Sequence, residues 1–162
     1  MSLLIRTFAS ADLPALHAIR TAAFAPVFAS FRALVGPAIA KLGLNAAEKE
    51  QGDLLDAMAR PDSGHAIAVA EENGVIAGFV SWKTGIAPKV GEITLNAVHP
   101  DHGGKGIGTA LYEHALAALK AAGMELATVG TGGDPSHAPA RRAYEKVGFA
   151  VGLPSVYLYR RL

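Results

Sequence analysis

The amino-acid sequence predicts an α/β sandwich, a mixed sheet with helices packed on both faces. Three observations lead there. Apolar stretches of strand length alternate along the chain with stretches of helical periodicity. Asn73-Gly74 joins two apolar runs, and this pair is the strongest short-range hairpin signal because both residues tolerate positive φ. Finally, residues 92–122 read as a strand, a glycine loop and an amphipathic helix in succession.

Taken in order, Leu3 to Phe8 predicts a first strand, and Asp12 an N-cap ahead of Leu13-Pro14, where the first helical turn tolerates proline. Leu13, Leu16, Ile19, Ala23, Phe24 and Val27 then keep helical spacing, with breaks expected at Pro26 and at Gly36-Pro37. Phe24, Phe28 and Phe31 recur every three or four residues, as core packing or as an aromatic wall over an acceptor pocket. A helix from about Ala46 to Arg60 is expected to bury Leu54, Leu55 and Met58 and to wet Glu48, Lys49, Glu50 and Asp53. His65–Ala70 and Val75–Trp82 form the hairpin, Thr84–Pro88 a loop, and Glu92–Val98 a strand ended by His99-Pro100.

The helix from Ile107 places Leu111, Ala115, Ala118 and Ala122 on one face and closes at Gly123. A strand follows over 126–131. A turn-rich stretch from Thr131 to Pro139 then opens the helix that carries Tyr144. Ser155–Arg161 alternates Tyr157 and Tyr159 against Val156, Leu158 and Arg160, which predicts a final strand. No repeat or linker divides the 162 residues, so residues 1–162 are expected to be one domain.

Composition excludes several classes of function. With 51% hydrophobic and only 18% charged residues the chain has the makings of a packed core and not of a disordered segment. A net charge of +1 gives no basic field for nucleic acid or an anionic membrane. The absence of cysteine rules out disulfides, thiolate metal sites and a thiol nucleophile, and fits a reducing cytoplasm. His99, His102 and His137 have no metal-ligand spacing, so no metal is expected. The start lacks the pattern of a signal peptide, and no run reaches the roughly 20 apolar residues of a membrane span. A soluble cytoplasmic protein is the expectation.

The glycine loop carries the most chemistry. Gly103, Gly104, Gly106 and Gly108 fall within six residues, Lys105 sits among them, and Ile107, Gly108 and Thr109 begin a helix. A helix start leaves its first N–H groups without partners and carries partial positive charge, and glycines let those groups converge on an anion. A plain glycine-rich connection is the alternative. The dinucleotide spacing Gly-x-Gly-x-x-Gly fails at Thr109 and again at Leu111, and a P-loop lysine would follow the last glycine. Some other phosphate-bearing ligand is required.

Val98-His-Pro-Asp-His-Gly-Gly-Lys-Gly-Ile-Gly108 resembles the acyl-coenzyme A pyrophosphate motif of the GNAT N-acetyltransferase superfamily, and Ala140-Arg-Arg-Ala-Tyr-Glu-Lys-Val-Gly-Phe149 resembles that family's late helix. Together the two blocks cover residues 92 to 150 at the family's spacing. The resemblance implies a mostly antiparallel twisted sheet. It also implies acetyl-coenzyme A held by Gly103 to Thr109 and by His137, with backbone groups of Asn96, Ala97 and Val98 pairing with the pantetheine arm. Two positions depart from the pattern. The family's Gln or Arg three residues before Gly106 is Gly103 here, and the Asn it often has seven residues before the tyrosine is His137.

The implied reaction is direct attack of an amine on a thioester. The resemblance assigns Tyr144 to the departing thiolate. A phenol near pKa 10 protonating a thiolate near 8.5 moves uphill by about 1.5 pH units, roughly 2 kcal/mol, which an enzymatic barrier accommodates. Glu92 resembles the glutamate base of the histone-modifying branch, although an ordinary carboxylate is a weak base for an ammonium. The acceptor would be a small-molecule or peptide amine, and a homodimer is left open. A non-catalytic acyl-coenzyme A binding regulatory module is the alternative function.

Overall fold

The computed structural model describes residues 2–162. Five strands, β1 (Leu3–Thr7), β2 (His65–Glu72), β3 (Val75–Ala87), β4 (Val90–Val98) and β5 (Leu126–Val129), form one sheet in the order β1-β2-β3-β4-β5. The first four are antiparallel, and β5 runs parallel to β4. Helices α1 (Leu13–Val35), α2 (Pro37–Gly43) and α3 (Ala47–Ala59) precede β2, α4 (Ile107–Ala121) connects β4 to β5, and α5 (Ala138–Lys146) follows β5.

Strand alternation divides the core between the two faces. Ile67, Val69, Phe79 and Ala97 pack with Leu16, Ile19, Leu55 and Met58 under α1 and α3. Ala68, Val80, Trp82 and Ile93 pack with Ile107, Leu111, Tyr112, Ala115, Leu119 and Tyr144 under α4 and α5. The expected mixed sheet with helices on both faces is the observed one. Asn73 and Gly74 carry φ of 53° and 82°, as a tight hairpin requires.

Several local expectations are corrected. Pro26 lies inside α1 without ending it: it sits on the exposed side, where the bond its missing N–H would have made is lost, while Val27 and Phe28 remain buried and hold the helix to the core. With the turn before it, α1 spans 26 residues and its most apolar window has mean hydropathy 1.3, long and apolar enough by composition to cross a membrane. Here it lies across β3 and β4. Leu54 is exposed, because the α3 stripe that faces the sheet runs through Leu55 and Met58. The expected loop at Thr84–Pro88 is mostly strand, since β3 continues to Ala87 and turns through Pro88 and Lys89, the latter at φ 59°.

The final strand expected at Ser155–Arg161 does not join the sheet. Period-two alternation favours extended backbone, but a strand also needs an edge to pair with. After α5 the chain passes Gly148, at φ 98°, and takes Tyr159 to the surface of Gly43 in α2, so β5 stays the edge of the sheet. Val151, Leu153, Val156 and Leu158 are all more than four-fifths exposed.

Candidate functional site

The site begins with a bulge in β4. Ile93 pairs with Trp82 and Asn96 with Val80, so Thr94 and Leu95 together oppose Ser81. Fully buried Ser81 donates to the Leu95 carbonyl at 2.7 Å, and its hydroxyl meets that of Thr94 at 2.7 Å. The extra residue reverses the alternation: Ile93 faces α4, whereas Ala97, four residues on, faces α1. Asn96 is thereby turned toward α4 and α5. There its Nδ2 donates to the Thr94 carbonyl at 2.9 Å and to the hydroxyl oxygen of Tyr144 at 3.0 Å, while its Oδ1 accepts from Tyr112 at 2.8 Å.

The two tyrosine rings lie 4.7 Å apart, and Phe149 meets Tyr144 edge-on. Burial raises the Tyr144 hydroxyl above the ordinary phenol range, and its bonds with Asn96 and Tyr112 offset this only in part. Burial raises Tyr112 further, with the neighbouring Tyr144 adding to the effect. Both phenols therefore stay protonated as donors across the working pH range.

Beside this cluster the sheet opens. β4 pairs with β5 only from Val90 to Ile93, opposite Leu126 to Val129, yet β4 continues to Val98. The His99 N–H donates to Ala77, and Ala97 faces Phe79 in the same phase of the ladder. Ala97 thus spends its backbone groups on β3, and those of Asn96 and Val98 point into the gap. Of the three residues expected to offer backbone groups, Asn96 and Val98 are placed to do so and Ala97 is not.

At the end of the gap, Gly104 and Gly106 have φ of 75° and 81°, and Gly106 caps α4. The first helical bond runs from the Ala110 N–H to the Gly106 carbonyl, and among the described residues nothing accepts from the N–H groups of Gly104 to Thr109. These unpaired amides are the donors that an anion cradle would need. The Gly103 N–H is committed to Pro100 at 3.0 Å. Lys105, expected within the stretch that holds the coenzyme, has its ammonium 2.9 Å from both carboxylate oxygens of Glu72, which is 4% exposed and also holds His102. Lys105, then His102, keep the Glu72 carboxyl below the usual carboxylate range. A buried carboxylate recruits the cation, which is why Lys105 turns from the cleft.

Gap and cradle form one cleft of about 990 Å³, lined by Glu92, Asn96, Val98, Gly103, Gly104, Gly106, Ile107, Gly108, Thr109, His137 and Tyr144, together with Phe24 and Leu54 on the α1 side. Glu92 lies at the β5-paired end of β4, with its carboxylate 4.0 Å from the Lys83 ammonium. His137 is the N-cap residue of α5 but caps with no side-chain bond; its ring is held by Asp134 and stacked on Phe31. Of the three phenylalanines, Phe28 is buried and Phe24 part of the core margin, while Phe31 supports the histidine.

Sequence reasoning missed Tyr112, the Asn96 side chain, and Asp134. Tyr112 had one available signal: on a helix whose adjacent positions are core, a phenol must find a buried partner.

A model of the "Acetyltransferase (GNAT) family" matches residues 38–149. Among solved structures, a GNAT family acetyltransferase from Brucella melitensis in complex with acetyl-CoA is 24% identical, with TM-score 0.65 over 93% of this chain and 84% of that one. The ribosomal-protein-S18-alanine N-acetyltransferase from Escherichia coli is 22% identical, with TM-score 0.67 over 94% and 80%. PaiA N-acetyltransferase from Thermoplasma acidophilum in complex with coenzyme A is 20% identical, with TM-score 0.65 over 94% and 92%. These likenesses are of fold. A comparison of the sequence with curated proteins finds no match.

Proposed function

We propose that this chain, which belongs to the GNAT acetyltransferase family, transfers an acetyl group from acetyl-coenzyme A directly to a primary amine of a small molecule or peptide. The observation that carries this is the β4 gap. An unpaired strand edge, with Asn96 and Val98 offering backbone groups, leads straight to the unpaired amides of Gly104 to Thr109. A linear ligand with amide groups along its arm and a pyrophosphate at its end fits such a site, because each part meets groups that are otherwise unsatisfied.

Acetyl-coenzyme A supplies an activated acyl group on a thiol leaving group. The chain supplies the rest. The cradle holds phosphate oxygens through backbone N–H groups and the α4 dipole, without the Lys105 charge. Backbone N–H groups of the gap meet the thioester oxygen as charge develops on it. Tyr144, kept neutral and with its oxygen accepting from Asn96, has its O–H proton held only by a long 3.3 Å bond to Asn96 Oδ1, from which it can turn to the departing sulfur. Glu92 borders the same cleft, but an acceptor ammonium would have to compete with Lys83 for it.

The test is thiol release from acetyl-coenzyme A by the purified protein with spermidine and with a peptide bearing an N-terminal alanine. Amine-dependent release with acetylated product supports the reading. Tight binding of acetyl-coenzyme A without release from any amine would instead support a non-catalytic binding module.

A further inference from the structure

We infer that His137, held by Asp134, is the base that takes the proton from the acceptor ammonium, a role that rests on the transferase reading. The pair is built into the loop between β5 and α5. His137 Nδ1 lies 2.6 Å from Asp134 Oδ1, with side chains 15% and 9% exposed. Asp134 Oδ2 accepts from the Ser30 hydroxyl of α1 at 2.9 Å, from the Ser136 N–H at 3.2 Å and from the Ser136 hydroxyl. Burial on its own would raise the Asp134 carboxyl, but the bonds from Ser136, His137 and Ser30 outweigh it and hold the group well below the usual carboxylate range. The carboxylate is therefore charged, takes the Nδ1 proton of the ring, and leaves the Nε2 lone pair available.

Two neighbours crowd the ring. Phe31 stacks on it with centroids 5.6 Å apart at 24°. A Cβ on Gly132 would collide with the ring and would lie 2.6 Å from Asp134 Oδ1, so glycine suits that position. Charged groups facing the ring are Asp134 from its own loop and Arg141 from α5. The Arg141 guanidinium is occupied by the carbonyls of Gly132 at 2.5 Å and Asp134 at 2.9 Å. From α1, Ser30 reaches Asp134 and Phe31 stacks on the ring, both uncharged. The ring lines the cleft, and no described residue bonds its Nε2. Tyr144 lies seven residues on, on the same face of α5 and about 10 Å along the axis. That spacing leaves room for an amine nitrogen beside the histidine and a leaving sulfur beside the tyrosine.

The protons balance. Nε2 takes one proton from R–NH₃⁺, giving an imidazolium stabilised by Asp134. The freed lone pair forms the N–C bond as the C–S bond breaks. Tyr144 gives its proton to sulfur and is reprotonated from the amide nitrogen, and the imidazolium releases its proton to water. Asp134 is a positioning residue that never changes charge.

His137→Gln, Asp134→Asn and Glu92→Gln are compared by thiol release with two nucleophiles, the better of spermidine and the alanine peptide, and hydroxylamine, which is already neutral near pH 7. Loss of the base predicts that His137→Gln, at saturating acetyl-coenzyme A, loses about 100-fold in turnover of the ammonium acceptor at about pH 7. That loss should shrink as the pH rises toward the acceptor's own pKa, and hydroxylamine turnover should stay within about threefold. Asp134→Asn follows with a smaller loss, and ¹⁵N histidine spectra of the parent show neutral His137 protonated on Nδ1. A loss that is flat with pH or equal for both nucleophiles, an unaltered His137→Gln, an Nε2-protonated ring, or a pH-dependent loss in Glu92→Gln instead would each overturn the assignment. A parent that neither binds acetyl-coenzyme A nor releases thiol overturns the transferase reading and the base with it, whereas an active parent with an unaltered His137→Gln overturns the base alone.

Discussion

The Asn96 side chain donates from Nδ2 to the hydroxyl oxygen of Tyr144 at 3.0 Å. The converse bond, Tyr144 hydroxyl to Asn96 Oδ1, is longer at 3.3 Å and shares that oxygen with Tyr112, which holds it at 2.8 Å. The direction matters. The Tyr144 proton is held by the weaker of the two bonds, so it can turn to a leaving group in the cleft while the stronger one keeps the oxygen in place.

Asn96→Ala removes a donor from Tyr144 and an acceptor from Tyr112, leaving two buried hydroxyls short of partners. A stability loss of about 1–3 kcal/mol is expected in chemical denaturation, together with lower turnover. Wild-type stability in that variant would show that the cluster is not sealed from water.

Tyr144→Phe keeps the ring on Tyr112 and Phe149 and removes only the hydroxyl. Turnover should fall by about 10- to 100-fold with acetyl-coenzyme A affinity unchanged. Equal loss of affinity would mean that the hydroxyl serves binding and not the leaving group.

Gly106 has no atom within 4 Å of where a Cβ would stand, so Gly106→Trp begins in open space. Its φ of 81° costs a non-glycine residue about 1–2 kcal/mol, and the indole falls across the cradle. Affinity for acetyl-coenzyme A should drop more than about tenfold while the fold survives. Unchanged affinity would place the ligand elsewhere.

The Glu72 carboxyl is depressed in the folded protein, so its stabilisation is present above the unfolded value of about 4.3 and is lost as pH falls through the folded one. Thermal melts of Glu72→Gln and the parent should therefore differ near neutrality and converge in acid. Because Lys105 is spent on Glu72, Lys105→Ala should weaken acetyl-coenzyme A by less than about threefold; a larger loss in titration would show that the lysine leaves Glu72 for the ligand.

The glycine loop was legible because positive φ leaves glycines at fixed places, and Gly104 and Gly106 adopt those conformations. Helices α1, α3 and α4 and the hairpin were legible from periodicity, α1 without its continuation through Pro26. The bulge was not, since Thr94-Leu95 is an ordinary apolar step and only its pairing with Ser81 turns Asn96 over. The Asp134–His137 pair lies in a stretch that reads only as turn-rich, because proximity through a loop and to Phe31 of α1 has no local signature. Ser155–Arg161 was over-read: alternation describes a backbone and not the edge it pairs with.

Calorimetric titration of the protein with acetyl-coenzyme A, with ATP, NAD and Gly106→Trp as controls, tests the cleft most directly. The β4 gap and its cradle predict saturable binding of acetyl-coenzyme A to one site, none of comparable strength for ATP or NAD, and loss in the variant. Absence of binding, or binding that survives Gly106→Trp, would contradict them.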